Sequence, residues 1–288
     1  MYLQYSDLNG TLPESIGFLS QLQSLYLDGN SLVGTIPESI GQLLQLTILH
    51  LDLNNMSGPI PESIGNLPQI TFLQLERNKF TKIPESIGKL SQLGVLYINY
   101  NALTGTIPES IGNLAETYYI NLKGNQLSGT IPGSIGNISK LYYLSLANNQ
   151  LSGPIPESIT KISQLSFLYL NDNQLNGTIP ESFGNLTNLQ IIDLQNNYLC
   201  GGCFQWEEPR TSCDFGVSFN CRCSAPTTSN IPCSEIPSCQ TKPIPPKSPN
   251  LVIFLSSTLS SVGFLLIIFL LYKFCYQSKK TNYTPVDN

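Results

Sequence analysis

Seven cysteines fall within forty residues: Cys200, Cys203, Cys213, Cys221, Cys223, Cys233 and Cys239. Thiols at that density build either a disulfide scaffold or a metal site. Cys200-x-x-Cys203 has zinc-like spacing, but no second C-x-x-C follows and no His is nearby. Cys221 and Cys223 are too close to pair comfortably with each other. Disulfides are the preferred reading, because bridges staple a short segment that lacks its own core, and they imply an oxidising compartment. Seven is odd, so one thiol is free, pairs between chains or pairs elsewhere. The chain has one His (His50) and one Trp (Trp206). A single His gives no metal cluster and no acid–base pair, so His50 is expected to be a solvated surface residue. No catalytic residue, cofactor or metal site is expected, and the chain reads as a non-enzyme. It has no G-x-x-x-x-G-K, no G-x-S-x-G and no kinase signature. The net charge of −5, with 11% charged residues, supplies no basic stripe for a nucleic-acid partner.

What must position any functional residue is a repeat. Pro13, Pro37, Pro61, Pro84, Pro108, Pro132, Pro156 and Pro180 recur in blocks such as IPESIG, at steps of 24, 24, 23, 24, 24, 24 and 24 residues. Between the blocks runs L-x-x-L-x-L-x-x-N-x-L, as in Leu141, Leu144, Leu146, Asn149 and Leu151. In L-x-L the leucines of a short strand enter the core and the residues between them face out. The Asn residues turn inward to satisfy backbone groups at a bend. Stacked, they predict a ladder of Asn30, Asn54, Asn78, Asn101, Asn125, Asn149, Asn173 and Asn197. Gly in G-x-I-P allows a tight turn. Pro suits the first position of a short helical turn, where its missing N–H costs nothing. The Glu row (Glu14, Glu38, Glu62, Glu85, Glu109, Glu157, Glu181) then sits near the positive end of that turn. No single repeat can bury its own apolar face, so stability is shared between neighbours.

This pattern resembles the plant-type class of leucine-rich repeats, over residues 1 to about 200. The resemblance implies an α/β solenoid, a right-handed curved superhelix with short parallel strands on its concave face. Three departures stand out. The 23-residue step lacks the Gly, reading Asn78-Lys79-Phe80-Thr81-Lys82-Ile83, so a local irregularity is expected on the outer side. Thr117 takes a Leu position. Leu3-Gln4-Tyr5-Ser6 looks like half a strand with Ser6 in place of Asn. The chain starts inside a repeat, with no signal peptide and no Cys-bearing cap before it. It reads as a truncated fragment or incomplete gene model, or else as a partial repeat that caps itself.

The organisation follows from composition. Residues 1–199 form the solenoid of about eight 24-residue repeats, 200–240 a Cys-rich cap that begins N-x-L-C-G as plant-type repeat domains end, and 241–250 a Pro-rich stalk. Residues 251–272 are 22 uncharged residues; at about 1.5 Å per residue they cross a hydrocarbon core of about 30 Å as a single transmembrane helix. Residues 273–288 form a short tail whose Lys273, Lys279 and Lys280 favour the cytoplasm, although Lys242 and Lys247 on the other side soften that argument. The cysteines and the sequons at Asn9, Asn55, Asn137, Asn176 and Asn185 favour repeats outside the plasma membrane, over a tail-anchored alternative with repeats in the cytosol.

Between the core leucines, outward positions should form the binding face: Tyr26, His50, Gln74, Tyr97, Asn121, Ser145, Tyr169 and Asp193. A second stripe holds Asp28, Asp52, Glu76, Asn99, Lys123, Ala147, Asn171 and Gln195. A third, apolar stripe of Ile48, Phe72, Val95, Tyr119, Tyr143, Phe167 and Ile191 reads as packing. The candidate contact residues are Tyr26, Asp28, His50, Asp52, Gln74, Glu76, Tyr97, Asn99, Asn121, Lys123, Tyr169, Asn171 and Asp193. Tyr-rich, charge-poor surfaces suit peptide or glycan contacts, although the same rows could simply pack along the strands. The layout of repeats, cap, stalk, span and short tail resembles a receptor-like protein without a kinase. That resemblance implies a protein, peptide or glycan ligand on the concave face and signalling through a partner kinase or adaptor. The alternatives are a structural or adhesive surface glycoprotein, or an enzyme inhibitor similar to the polygalacturonase-inhibiting repeat proteins.

Overall fold

A computed structural model describes residues 1–200, with the side chain of Cys200 left out. The expected cap, stalk, membrane helix and tail lie outside the described residues. No helix among the described residues is long and apolar enough to cross a membrane.

One strand per repeat enters an eight-stranded parallel sheet: Ser24–Tyr26, Ile48–His50, Phe72–Gln74, Val95–Tyr97, Tyr119–Asn121, Tyr143–Ser145, Phe167–Tyr169 and Ile191–Asp193. Each strand is only three residues long, and its middle residue is buried (Leu25, Leu49, Leu73, Leu96, Ile120, Leu144, Leu168, Ile192). The short period-2 pattern therefore delivers one leucine-type residue to the core and two outward neighbours. The core runs the length of the stack, from Ile16 to Leu199, with Phe80 and Phe183 as its largest fully buried side chains. Each aliphatic side chain so buried contributes about 1.5–3 kcal/mol.

The Asn ladder forms as expected. In a typical rung Asn149 donates from Nδ2 to the carbonyls of Leu146 in its own repeat (3.1 Å) and Leu122 in the previous one (3.0 Å). Its Oδ1 accepts the Leu127 N–H at 3.0 Å. The same bonds recur through Asn54, Asn78, Asn125, Asn173 and Asn197, which are buried, and through Asn30 and Asn101, which are half-buried.

The short helical turn forms as expected, and one expectation about it is corrected. No α-helix occurs among the described residues, and the repeating turn is a five-residue 3-10 helix, for example Glu38–Gln42 or Glu109–Asn113. A single turn closed by i→i+3 bonds is what so short a segment can support. Pro is not the first residue of that turn but the cap before it: Pro37 has extended φ −68° and ψ 149°, and its carbonyl accepts the Ile40 N–H at 3.0 Å. Glu does follow at the start of the turn, and it also reaches across to the next repeat. Glu14, Glu38 and Glu62 accept the backbone N–H groups of Ser39, Ser63 and Ser86 at 3.1–3.2 Å.

The fourth residue of the turn explains a glycine that spacing alone did not. A Cβ on Gly41, Gly88 or Gly112 would lie 2.2–2.5 Å from the carbonyl oxygen of Ser63, Ser110 or Ser134 in the next repeat. These glycines set how closely successive turns stack. Thr160 replaces the glycine in one repeat, and there the turns Glu157–Lys161 and Glu181–Asn185 pack less closely.

The irregular 23-residue step is visible in a second set of strands flanking the first. Asn9–Thr11, Ser31–Gly34, Asn55–Gly58 and Lys79–Phe80 form one parallel sheet. Ser128–Gly129, Gln150–Gly153, Gln174–Thr178 and Tyr198–Cys200 form another. No strand lies between them over 102–106. The lost residue shortens the connection after Asn78, and the groove left there is lined by Pro59, Thr81, Lys82, Ile83, Thr104 and Pro108, among others. Thr117 is fully buried and its hydroxyl donates to the Leu93 carbonyl at 2.5 Å, so a Leu site is filled by a satisfied polar group. At the other end a single bridge stands just before the half-strand expected at Leu3–Ser6. Tyr2 bridges Tyr26, and Leu3 N–H donates to the Tyr26 carbonyl at 2.9 Å. Ser6 and Leu8 present their N–H groups to Asn30 Oδ1.

Candidate ligand-binding face

The parallel register places one residue of each outward row per strand. Tyr26, His50, Gln74, Tyr97, Asn121, Ser145, Tyr169 and Asp193 align across the sheet, and so does the row from Ile48 through Phe72, Val95, Tyr119, Tyr143 and Phe167 to Ile191. The stripe from Asp28 to Gln195 is held just beyond the strands by backbone bonds such as Gly29 N–H to Asp52 O and Leu53 N–H to Glu76 O, both 3.0 Å. Of the candidate contact residues, twelve are half-buried along this face: Tyr26, Asp28, His50, Asp52, Gln74, Glu76, Tyr97, Asn121, Lys123, Tyr169, Asn171 and Asp193. Asn99 is instead buried, with its Oδ1 unpartnered, and Ser145 and Ala147 are buried as well.

Two chemically different regions emerge. The middle of the face is aromatic. The Tyr119 ring stacks on Tyr143 (4.1 Å, 2°) and meets Tyr97 at 4.6 Å. Tyr143 continues to Tyr169 at 5.5 Å and Phe167 at 6.2 Å. Burial, together with the neighbouring tyrosines, holds the Tyr119 hydroxyl protonated well above the usual phenol range. The supposed packing row and the outward row are thus one interlocked aromatic surface, because side chains on adjacent parallel strands stand about 4.8 Å apart.

The other end is acidic. Asp28, His50 and Asp52 each bring a ligand atom within 4.8 Å of the others'. His50 is therefore not a solvated surface residue. It is half-buried, its ring meets the Tyr26 ring edge-on at 4.7 Å, and Tyr26 in turn stacks on Tyr2 at 4.9 Å. Burial lowers the His50 imidazole to about 4, so it is neutral at physiological pH. Burial first, then the charges of Asp28 and Glu76, push the Asp52 carboxyl up to about 7. Burial also raises Asp28 and Glu76, the latter moderated by Asn99 and Arg77. Sequence reasoning placed Asp28, His50 and Asp52 on adjacent stripes but missed that they converge. The signal was there, in acids two residues after an outward position in successive repeats.

A further feature went unread in the sequence. The residue before each ladder Asn takes a left-handed conformation: Gly29, Leu53, Arg77, Tyr100, Gly124, Asn148, Asp172 and Asn196, with φ between 53° and 69°. Only two of these are Gly. The Tyr5 and Tyr100 rings lie where a Cβ on Gly29 or Gly124 would be, and the Arg77 guanidinium stands 5.1 Å over Tyr100. The five sequons of the repeats, by contrast, are all exposed and all lie off the eight-stranded face: Asn9, Asn55 and Asn176 on the second strands, Asn137 and Asn185 at the ends of 3-10 turns.

Comparisons agree with this architecture. The fold is similar to that of a TDR receptor, at 33% identity and TM-score 0.65 over 68% of this chain and 34% of that one. It is similar to the Arabidopsis receptor kinase HAESA, solved in complex with the peptide hormone IDA and the co-receptor SERK1, at 36% identity and TM-score 0.64 over 67% and 33%. A plant ice-binding protein matches at 31% identity and TM-score 0.61 over 69% and 64%. The chain spans about a third of the length of the two receptor chains. A search of curated proteins gave no match. The leucine rich repeat model matches residues 20–80, 73–127 and 116–175, more than half of the chain, and the protein belongs to the leucine-rich-repeat family.

Proposed function

We propose that this protein is a cell-surface recognition module that binds a peptide or protein ligand on its eight-stranded face and is not an enzyme. The observation that carries this reading is the continuous aromatic surface of Tyr97, Tyr119, Tyr143, Phe167 and Tyr169 on a rigid parallel sheet. Tyrosines supply large contact area at little entropic cost, and here their rotamers are already fixed by one another. Two further facts support it. The five sequons leave that face uncovered, and similar folds include a plant receptor solved with a peptide hormone. In this reading residues 251–272 anchor the chain in the plasma membrane, the repeats are extracellular and the cysteines of 200–240 are oxidised. The 16-residue tail then signals through a partner that carries the kinase or adaptor function.

Panning a random peptide phage library against the full chain in detergent tests the recognition role. Selected peptides should lose at least ten-fold in affinity for Tyr97→Ala or Tyr169→Ala and keep it for Lys140→Ala, which changes the exposed Lys140–Glu116 pair. Equal binding to all three variants would refute the assignment of the face. Glycosidase treatment of protein expressed in eukaryotic cells tests the orientation. A mobility shift that vanishes when the five sequons of the repeats are removed supports extracellular repeats, and an unglycosylated chain, or a shift that depends on Asn282 in the tail, counts against them.

A further inference from the structure

The acidic end of the face is not explained by peptide recognition alone. Asp28 Oδ1 and Asp52 Oδ1 are both buried from solvent and have no hydrogen-bond partner. An anionic oxygen in that state costs several kcal/mol unless a proton or a positive charge meets it. Among the described residues no Lys or Arg supplies it: the charges acting on Asp52 are those of Asp28 and Glu76, and Arg77 is engaged over Tyr100. The third member of the group, His50, offers a neutral ring nitrogen at the same point.

We propose that Asp28, His50 and Asp52 bind a divalent cation of the zinc or cobalt class. One imidazole with two carboxylates, all within 4.8 Å of one another, is a donor set for a borderline ion; calcium and magnesium would call for oxygen alone. The geometry is held before any ion arrives. Asp28 and Asp52 occupy equivalent positions in successive repeats, tied by the Gly29 N–H to Asp52 O bond. The His50 ring is braced by Tyr26, which is braced by Tyr2. Three protein ligands leave a fourth coordination position unfilled, so the ion can accept a further donor from a bound partner.

The test uses the fact that the chain contains one His. The full chain, in detergent, with free thiols alkylated and 15N-histidine incorporated, is titrated with zinc chloride after chelator treatment. Saturable shifts of the His50 ring nitrogens, with a rise in melting temperature, are expected. A Kd about ten-fold or more weaker is expected in Asp52→Asn and Asp28→Asn. Both variants remove an unpaired buried charge, and unfolding curves in chelator check that they fold. Unchanged His50 resonances at millimolar zinc overturn the proposal. Shifts equally strong in both Asp variants also overturn it, because they mean that the imidazole binds zinc alone. Zinc held by the cysteines would leave His50 unmoved.

Discussion

Replacing Asn149 by Ala removes one rung of the ladder and should be among the costliest single changes in the solenoid. Four bonds are lost: from Nδ2 to the carbonyls of Leu122 (3.0 Å), Leu146 (3.1 Å) and Ala147 (3.2 Å), and to Oδ1 from the Leu127 N–H (3.0 Å). They are not equal. The Leu122 carbonyl keeps Asn125 as a partner and the Leu146 carbonyl keeps Asn173. Leu127 is buried, and its N–H is left without an acceptor. That orphan donor costs about 1–3 kcal/mol, and the two better lost donations add about 1 kcal/mol each. The total is about 4 kcal/mol. Asn30→Ala is the control, because water can reach the half-buried Asn30 and stand in for it; about 1 kcal/mol is expected. Urea unfolding of the full chain, followed by far-UV circular dichroism, measures both. In a stack where each repeat contacts only its neighbours, the weakened junction should also broaden the transition. If Asn149→Ala costs no more than Asn30→Ala, the ladder is not a source of stability and the reasoning fails.

Leu53→Gly should stabilise the protein by about 1 kcal/mol in the same assay, since Leu53 sits at φ 55° where a Cβ is strained; a loss of stability would show that the side chain contributes more than its strain costs. Gly112→Ala should destabilise by about 2 kcal/mol or more, because its Cβ would stand 2.4 Å from the Ser134 carbonyl oxygen; a neutral result would mean that the turns can separate freely. Asp52→Asn, in chelator, should raise stability in a pH-dependent way. The folded carboxyl lies near 7, above its unfolded value, so its protonated form favours the fold, and the wild type loses stability as pH rises from about 4 through 7. The shift from 3.8 to about 7 is worth about 4 kcal/mol at full strength, and solvent screening of this half-buried group reduces it to about 2 kcal/mol, so the variant's advantage should be near zero at low pH and reach about 2 kcal/mol above neutrality; a pH-independent difference would sink this account.

The linear pattern was sufficient for the repeat, the core leucines, the Asn ladder and the order of the outward rows. Each follows from a periodicity within one repeat and from its exact recurrence in the next. A strand of three residues has only one way to place Leu168 inward and Phe167 and Tyr169 outward. The 23-residue step was legible for the same reason, since one missing residue must show where the register is carried. What the pattern could not show was the relation between one repeat and the next. Stacking distance makes Gly41 and Gly112 spacers, converts Glu38 into a link to Ser63, and joins two rows of tyrosines into one surface. It also turned the acids and the single His around it from separate surface residues into a cluster. Asp28 and Asp52 are 24 positions apart in the chain, so only their recurrence from one repeat to the next, and no local pattern, signals that they share one point in space. Sequence periodicity determined which way each side chain points; the packing of repeat on repeat decided which side chains meet.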